Sequence, residues 1–161
     1  METLSLRLHP NQDLKSELDR LIDKNEIEAA CILTCVGSLT TAILRFANQE
    51  KAQRLDGHFE IVSLTGVMSK HGSHYHIAIA DEQGTSYGAH LMEGCKIYTT
   101  SEVIIGIISK CSFLRTLDPQ TGYPELATMD HRDSRRVPTG ITGLRLRRRN
   151  PVLARGTGAA D

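Results

Sequence analysis

Almost every apolar run in this chain either alternates with a period of two or is β-branched throughout, and a single stretch repeats with the period of a helix. Leu4, Leu6 and Leu8 alternate with Ser5 and Arg7, and His9-Pro10 ends that run. From Asp13, a residue type that caps helix N-termini, Leu14, Leu18, Leu21 and Ile22 recur at i, i+4, i+7 and i+8. Lys15, Glu17, Asp19, Arg20 and Asp23 take the opposite face, which predicts an amphipathic helix ending near Asn25. Ala29 to Val36 and Thr40 to Ala47 read as two strands of a hairpin interrupted at Gly37-Ser38, with a polar connection from Asn48 to Asp56. Phe59 to Gly66, Ile97 to Ile108 and Cys111 to Leu117 read as further strands, the last closed by the turn cluster Asp118-Pro-Gln-Thr-Gly122. One helix among many strands joined by short connections predicts an α+β fold: a mostly antiparallel β-sheet flanked by one or two helices. A doubly wound parallel sheet would need a helical crossover after most strands.

The formal charge of zero conceals a split. Residues 1–130 carry 11 basic and 17 acidic side chains, a net −6, whereas residues 131–161 carry 8 and 2, a net +6. We therefore expect one domain over 1–130 and a loosely ordered, basic Arg/Gly-rich tail over 131–161, in which Ile141, Leu144 and Leu146 could add a short strand. The absence of Trp and an aromatic share of 4% argue against a base-stacking platform for nucleic acid. Met1-Glu-Thr-Leu-Ser has neither the basic start nor the apolar run of a secretory signal, and Val103 to Ile108 is too short to cross a bilayer. The expectation is a cytoplasmic protein without membrane contact. Cys31, Cys35, Cys95 and Cys111 show no CxxC spacing and read as reduced, buried small hydrophobes.

Chemistry concentrates in Ser73-His-Tyr-His76, which leads through Asp81-Glu-Gln-Gly84 to Gly88-Ala-His90. Side chains two apart on a strand point the same way, so His74 and His76 share a face. A two-residue loop would pair positions summing to 165 and set His90 opposite Tyr75, off that face. A three-residue loop, Glu82-Gln83-Gly84 with Gly84 left-handed, pairs positions summing to 166 and sets His90 opposite His76. The second register also separates an apolar face, Tyr75, Ile77, Ile79, Tyr87, Ala89 and Leu91, from one of histidines and small residues. Three imidazoles suit Zn²⁺, with Ni²⁺, Cu²⁺ or Fe²⁺ as alternatives, and leave a coordination position for water or a small-molecule ligand. His71 could add a fourth ligand from the preceding turn. The competing reading makes the His-x-His pair a solvent-facing polar pair and His90 a hydrogen-bonded core residue. Hydrolysis through metal-activated water would also need a general base, and Glu93 and Glu102 are not placed by any motif, so the residues lean away from an enzyme.

Five segments in order resemble the plants and prokaryotes conserved (PPC) domain, a family of unknown biochemical function that follows AT-hooks in plant nuclear proteins. They are Val36-Gly-Ser-Leu39, Gly57-His-Phe-Glu-Ile-Val-Ser-Leu-Thr-Gly66, Ser73-His-Tyr-His76 through to Gly88-Ala-His-Leu91, Tyr98-Thr-Thr-Ser-Glu-Val103, and Phe113 to Leu126. The resemblance spans about Leu4 to Leu126. It implies a compact antiparallel sheet with flanking helices, assembly as a homotrimer, and a metal site matched here by His74, His76 and His90. Glu102 matches a family acid near the site region, with a structural hydrogen bond as its other reading. The family is often labelled DNA-binding, but the Arg-Gly-Arg core of an AT-hook is absent here. Arg145-Leu-Arg-Arg-Arg149 could contact phosphates, although the acidic domain would repel them.

The expectation is a homotrimeric, divalent-metal-binding PPC-like domain, zinc first, serving as a ligand-binding or assembly module. A DNA-binding or DNA-associated regulator using the basic tail is the alternative, and a small metal-dependent hydrolase the second alternative.

Overall fold

The computed structural model describes residues 1–131. The tail expected over 131–161 lies outside them apart from His131, as do the possible strand at Ile141 to Leu146 and the Arg145 to Arg149 cluster. The elements are β1 (Glu2–Leu8), α1 (Leu14–Lys24), β2 (Ala30–Arg45), β3 (Gln53–Ser69), β4 (Gly72–Ala80), β5 (Ser86–Leu91), β6 (Lys96–Ile107), β7 (Cys111–Leu117) and β8 (Pro124–Asp130).

Helix α1 forms where the periodicity places it. Asp13 caps it by accepting the Ser16 amide at 3.1 Å, and Asn25 closes it. Leu14, Leu18 and Ile22 are fully buried against the sheet. Each such side chain contributes about 1.5–3 kcal/mol on burial, so docking outweighs the weak intrinsic stability of an 11-residue helix.

Six strands form one sheet in the order β1-β6-β2-β3-β4-β5, and β7-β8 form a separate hairpin. Every pairing is antiparallel. The end of β2 also pairs with β5, Leu44 opposite Leu91 and Arg45 opposite His90, so that β2, β3, β4 and β5 close on themselves. The buried core, including Leu39, Leu44, Leu64, Met68, Tyr75, Ile77, Ile79 and Leu91, lies under this closed section and beneath α1. The α+β expectation of a mostly antiparallel sheet with one helix therefore holds.

The hairpin expected at Gly37-Ser38 does not form. Residues Ala30–Arg45 make one strand that crosses β6 without turning. A Cβ at Gly37 would stand 2.3 Å from the Thr100 carbonyl oxygen, so the glycine answers a close backbone approach rather than a turn. Register shifts between Ile32 and Thr34 and on either side of Leu39 absorb the bend as bulges. Strand β3 is likewise longer than its apolar segment, because its polar ends pair across the sheet: Gln53 with Leu44 and Ser69 with Gly72.

The cysteines divide. Cys35 and Cys95 are buried, and burial raises both thiols, that of Cys95 to about 11. Cys31 and Cys111, expected to be buried, are partly exposed. No helix among the described residues is long and apolar enough to cross a membrane.

Candidate metal centre

The β4–β5 connection is the three-residue loop. Asp81 N–H donates to Thr85 O at 3.0 Å, Gly84 N–H donates to Asp81 O at 2.9 Å, and Gly84 has φ +79°. The Asp81 carboxylate fixes the loop from inside by accepting the amides of Gln83 and Thr85 at 3.0 and 2.8 Å. The resulting register sets His76 opposite His90, Ile77 opposite Ala89 and Ile79 opposite Tyr87. One face of the pair is core: Tyr75, Ile77, Ile79 and Leu91 are at most 2% exposed. Tyr75 also anchors β4 to α1 by donating its hydroxyl to Asp19 at 2.9 Å, and burial keeps that phenol protonated far above its ordinary range.

The other face carries three imidazoles. His90 Nδ1 lies 3.1 Å from His74 Nε2 and 3.1 Å from His76 Nε2, and one nitrogen from each ring falls within 4.8 Å of the others. His74 and His90 stack with planes 13° apart, while His76 stands edge-on to both. An imidazole nitrogen carries either one proton or one in-plane lone pair. His90 Nδ1 therefore cannot form full hydrogen bonds with both partners, and proton sharing alone leaves the convergence incompletely satisfied. A tetrahedral ion with Zn–N of about 2.0–2.1 Å separates its nitrogen ligands by about 3.3–3.4 Å, close to the spacing seen for two of the three pairs. The donor set fits a borderline divalent cation.

The electrostatics favour the neutral form of two of the ligands, His74 and His90. Burial lowers the His74 pKa most, followed by the charges of His76 and Arg115, with Glu125 acting in the opposite sense. Burial also leads the lowering at His90, followed by Arg45, His76 and His74. Neutral imidazole is the form that binds metal.

Of the remaining residues named from sequence, His71, Glu102 and Glu93, none joins the three within one chain. His71 faces Glu28, its Nε2 3.7 Å from the carboxylate, which Lys70 holds below the ordinary glutamate range. Glu102 is on β6, opposite Arg7 of β1 and Val36 of β2, with β2 and β3 between it and β4 in the sheet order. Glu93 lies by Lys15 at 3.9 Å. Among the described residues, no carboxylate hydrogen-bonds to any of the three imidazoles. The sequence reading missed Arg45 and Arg115. Arg45 alternates with buried Leu44, a signal that it points outward, but only the β2–β5 closure sets it beside His90.

Residues 1–109 match the Plants and Prokaryotes Conserved (PCC) domain. The chain is 45% identical over 121 residues to a protein named Bifunctional protein GlmU from Synechococcus sp. (strain JA-3-3Ab), a match covering 75% of this chain. It spans only 20% of that relative's length. Among solved structures, a hypothetical protein from Salmonella cholerae-suis superposes with a TM-score of 0.79 at 39% identity, covering 80% of this chain and 94% of the other. A metal-containing protein from Archaeoglobus fulgidus does so with a TM-score of 0.65 at 25% identity, covering 78% and 93%. A protein from Bacteroides thetaiotaomicron, provisionally called DNA-binding, shares the fold at 20% identity with a TM-score of 0.70, covering 77% and 90%.

Proposed function

The chain belongs to the Plants and Prokaryotes Conserved domain family, and from that premise we propose that it holds a divalent metal ion, zinc first, on His74, His76 and His90. The observation carrying this reading is the approach of two Nε2 atoms to one Nδ1 at 3.1 Å each, on a face that hydrogen bonding alone does not satisfy. The metal-containing Archaeoglobus relative supports it. With three protein ligands the ion keeps a position open to water or a small molecule, and the protein serves as a homotrimeric ligand-binding or assembly module. Exposed Leu33 and Val36 on β2, Val62 on β3 and Tyr98 on β6 give the three adjacent strands apolar surface suited to self-association.

Titration of zinc into chelator-treated protein without a histidine tag tests the metal. The expected result is one ion per chain, with affinity reduced more than about a hundredfold in His76→Ala, since disturbing groups merely behind the ligands already costs about 10–100-fold. Equal uptake by both proteins would reject the site. A metal-dependent hydrolase would need a base, and among the described residues no carboxylate hydrogen-bonds to the cluster, so catalysis is the weaker reading.

A second reading, a DNA-associated regulator, is favoured by the Arg145 to Arg149 cluster and opposed by the net −6 of residues 1–130. Binding through that cluster would weaken steeply with salt and disappear on truncation after Asp130. Retained binding would exclude the tail as the contact.

A further inference from the structure

Two arginines share the histidine face. Arg45 and His90 are directly opposed in the β2–β5 pairing, while their neighbours Leu44 and Leu91 point into the core, so Arg45 and His90 project to the same outer side. Directly opposed Cβ atoms on antiparallel strands lie about 4.5–5.5 Å apart. Gly72, His74 and His76 alternate along one side of β4, and the Cγ of Arg115 from β7 lies 3.3 Å from where a Gly72 Cβ would stand. The arm of Arg115 thus packs closely over the bare backbone of Gly72, two residues before His74. Arg45 and Arg115 flank the three imidazoles from two different elements, and both are half-buried.

Neither guanidinium is spent on a carboxylate. The Arg45 guanidinium makes one long hydrogen bond, Nη1 to Gln49 O at 3.4 Å, and among the described residues the Arg115 guanidinium has neither a hydrogen bond nor an ion pair. A guanidinium offers five N–H donors in a planar fork that matches carboxylate and phosphate oxygens. Both stand beside the cluster by position: Arg45 is the cross-strand neighbour of His90, and the Arg115 side chain packs over Gly72, two residues before His74. Glu125 of β8, opposite Thr116 of β7, accepts a hydrogen bond from Thr121 Oγ1 at 3.1 Å.

We propose that Arg45 and Arg115 make the open position of the metal centre a site for a small oxyanion, a carboxylate or phosphate whose oxygen meets the ion while its remaining oxygens meet the arginines. The inference rests on the metal reading above. It adds the ligand class: an anionic group small enough to sit among Gly72, Gly88 and the imidazoles, rather than a neutral or cationic molecule.

Cobalt(II) in place of zinc supplies a visible spectrum that reports on the ion's fourth ligand. Uptake of cobalt by the wild-type protein tests the metal; titration of the loaded protein with acetate, inorganic phosphate and, as an ionic-strength control, chloride tests the inference. Acetate or phosphate should change the spectrum saturably, and the better of the two identifies the oxyanion. Arg45→Gln and Arg115→Gln should each load one cobalt yet bind that anion about tenfold or more weakly, the scale of a lost hydrogen bond to a charged group. Arg54→Gln, which alters an exposed arginine paired with Asp56, should bind as wild type. Loaded cobalt whose spectrum ignores both oxyanions overturns the inference and leaves the metal reading standing. Equal weakening by all three arginine variants would mark bulk charge rather than a site and overturn it as well. Failure to take up cobalt removes both readings. The wild-type titration decides the matter even if an arginine variant does not fold.

Discussion

At the scale of single residues, the site depends on side chains that do little for the fold. His74 and His76 are exposed and contact each other and His90 rather than the core. His76→Ala should therefore shift the stability of the metal-free protein by no more than about 0.5 kcal/mol in chemical denaturation while sharply weakening metal binding. Protons should compete with the metal in a defined direction. His74 and His90 titrate below the ordinary histidine value of about 6.5 in the folded chain, so on lowering the pH the unfolded chain takes up protons first. The stability these groups contribute is fully present above about 6.5 and is lost as pH falls through their lower folded values. Melting curves in chelator should show the decline, and it should be shallower in a His74→Asn, His90→Asn double variant; parallel curves would contradict it. These residues were legible in the sequence because the period of a strand alone pairs His74 with His76. Arg45 and Arg115 were not, because their place depends on the β2–β5 closure and on the β7–β8 hairpin, contacts between distant segments that no local pattern encodes.

At the scale of elements, the β4–β5 hairpin converts a sequence pattern into a site. The choice between two registers was readable from Gly84, and the pairing of His76 with His90 agrees with the three-residue loop. A side chain at Gly84 meets open space, so the cost of Gly84→Ala should come from the left-handed backbone alone, about 1–2 kcal/mol. Gly84→Asn should cost less, because asparagine tolerates that conformation; equal losses in thermal melts would point to another cause. On the reverse face of β4, Tyr75→Phe removes the hydroxyl that binds Asp19 and should cost about 1 kcal/mol. Asp19 keeps its contact with Lys15 at 2.5 Å, so the loss should stay near that figure in urea denaturation. Strand β2 shows where local reading fails. Gly37-Ser38 has the composition of a turn, yet the neighbouring backbone of β6 gives the glycine a different purpose, and an apparent hairpin becomes one 16-residue strand. Strand β8, Pro124–Asp130, carried no strong period-two signal and forms by pairing with β7.

At the scale of the molecule, one helix and the preference for antiparallel neighbours were enough to indicate the architecture, whereas the closure of four strands was visible only in three dimensions. The sheet leaves Val36 and Val62 exposed on neighbouring strands, which the assembly reading assigns to contacts between copies. Light scattering should give three times the chain mass for the wild-type protein, and Val36→Glu with Val62→Glu should lower it through burial of unpaired charge; a wild-type monomer would remove the assembly. The metal centre is the claim on which the functional account turns, and it has a direct measurement: anomalous diffraction at the zinc edge from zinc-soaked crystals of the assembled protein. One peak per chain is expected, about 2.0–2.1 Å from a nitrogen of each of His74, His76 and His90. Absence of a peak there, or zinc bound only elsewhere, would contradict it.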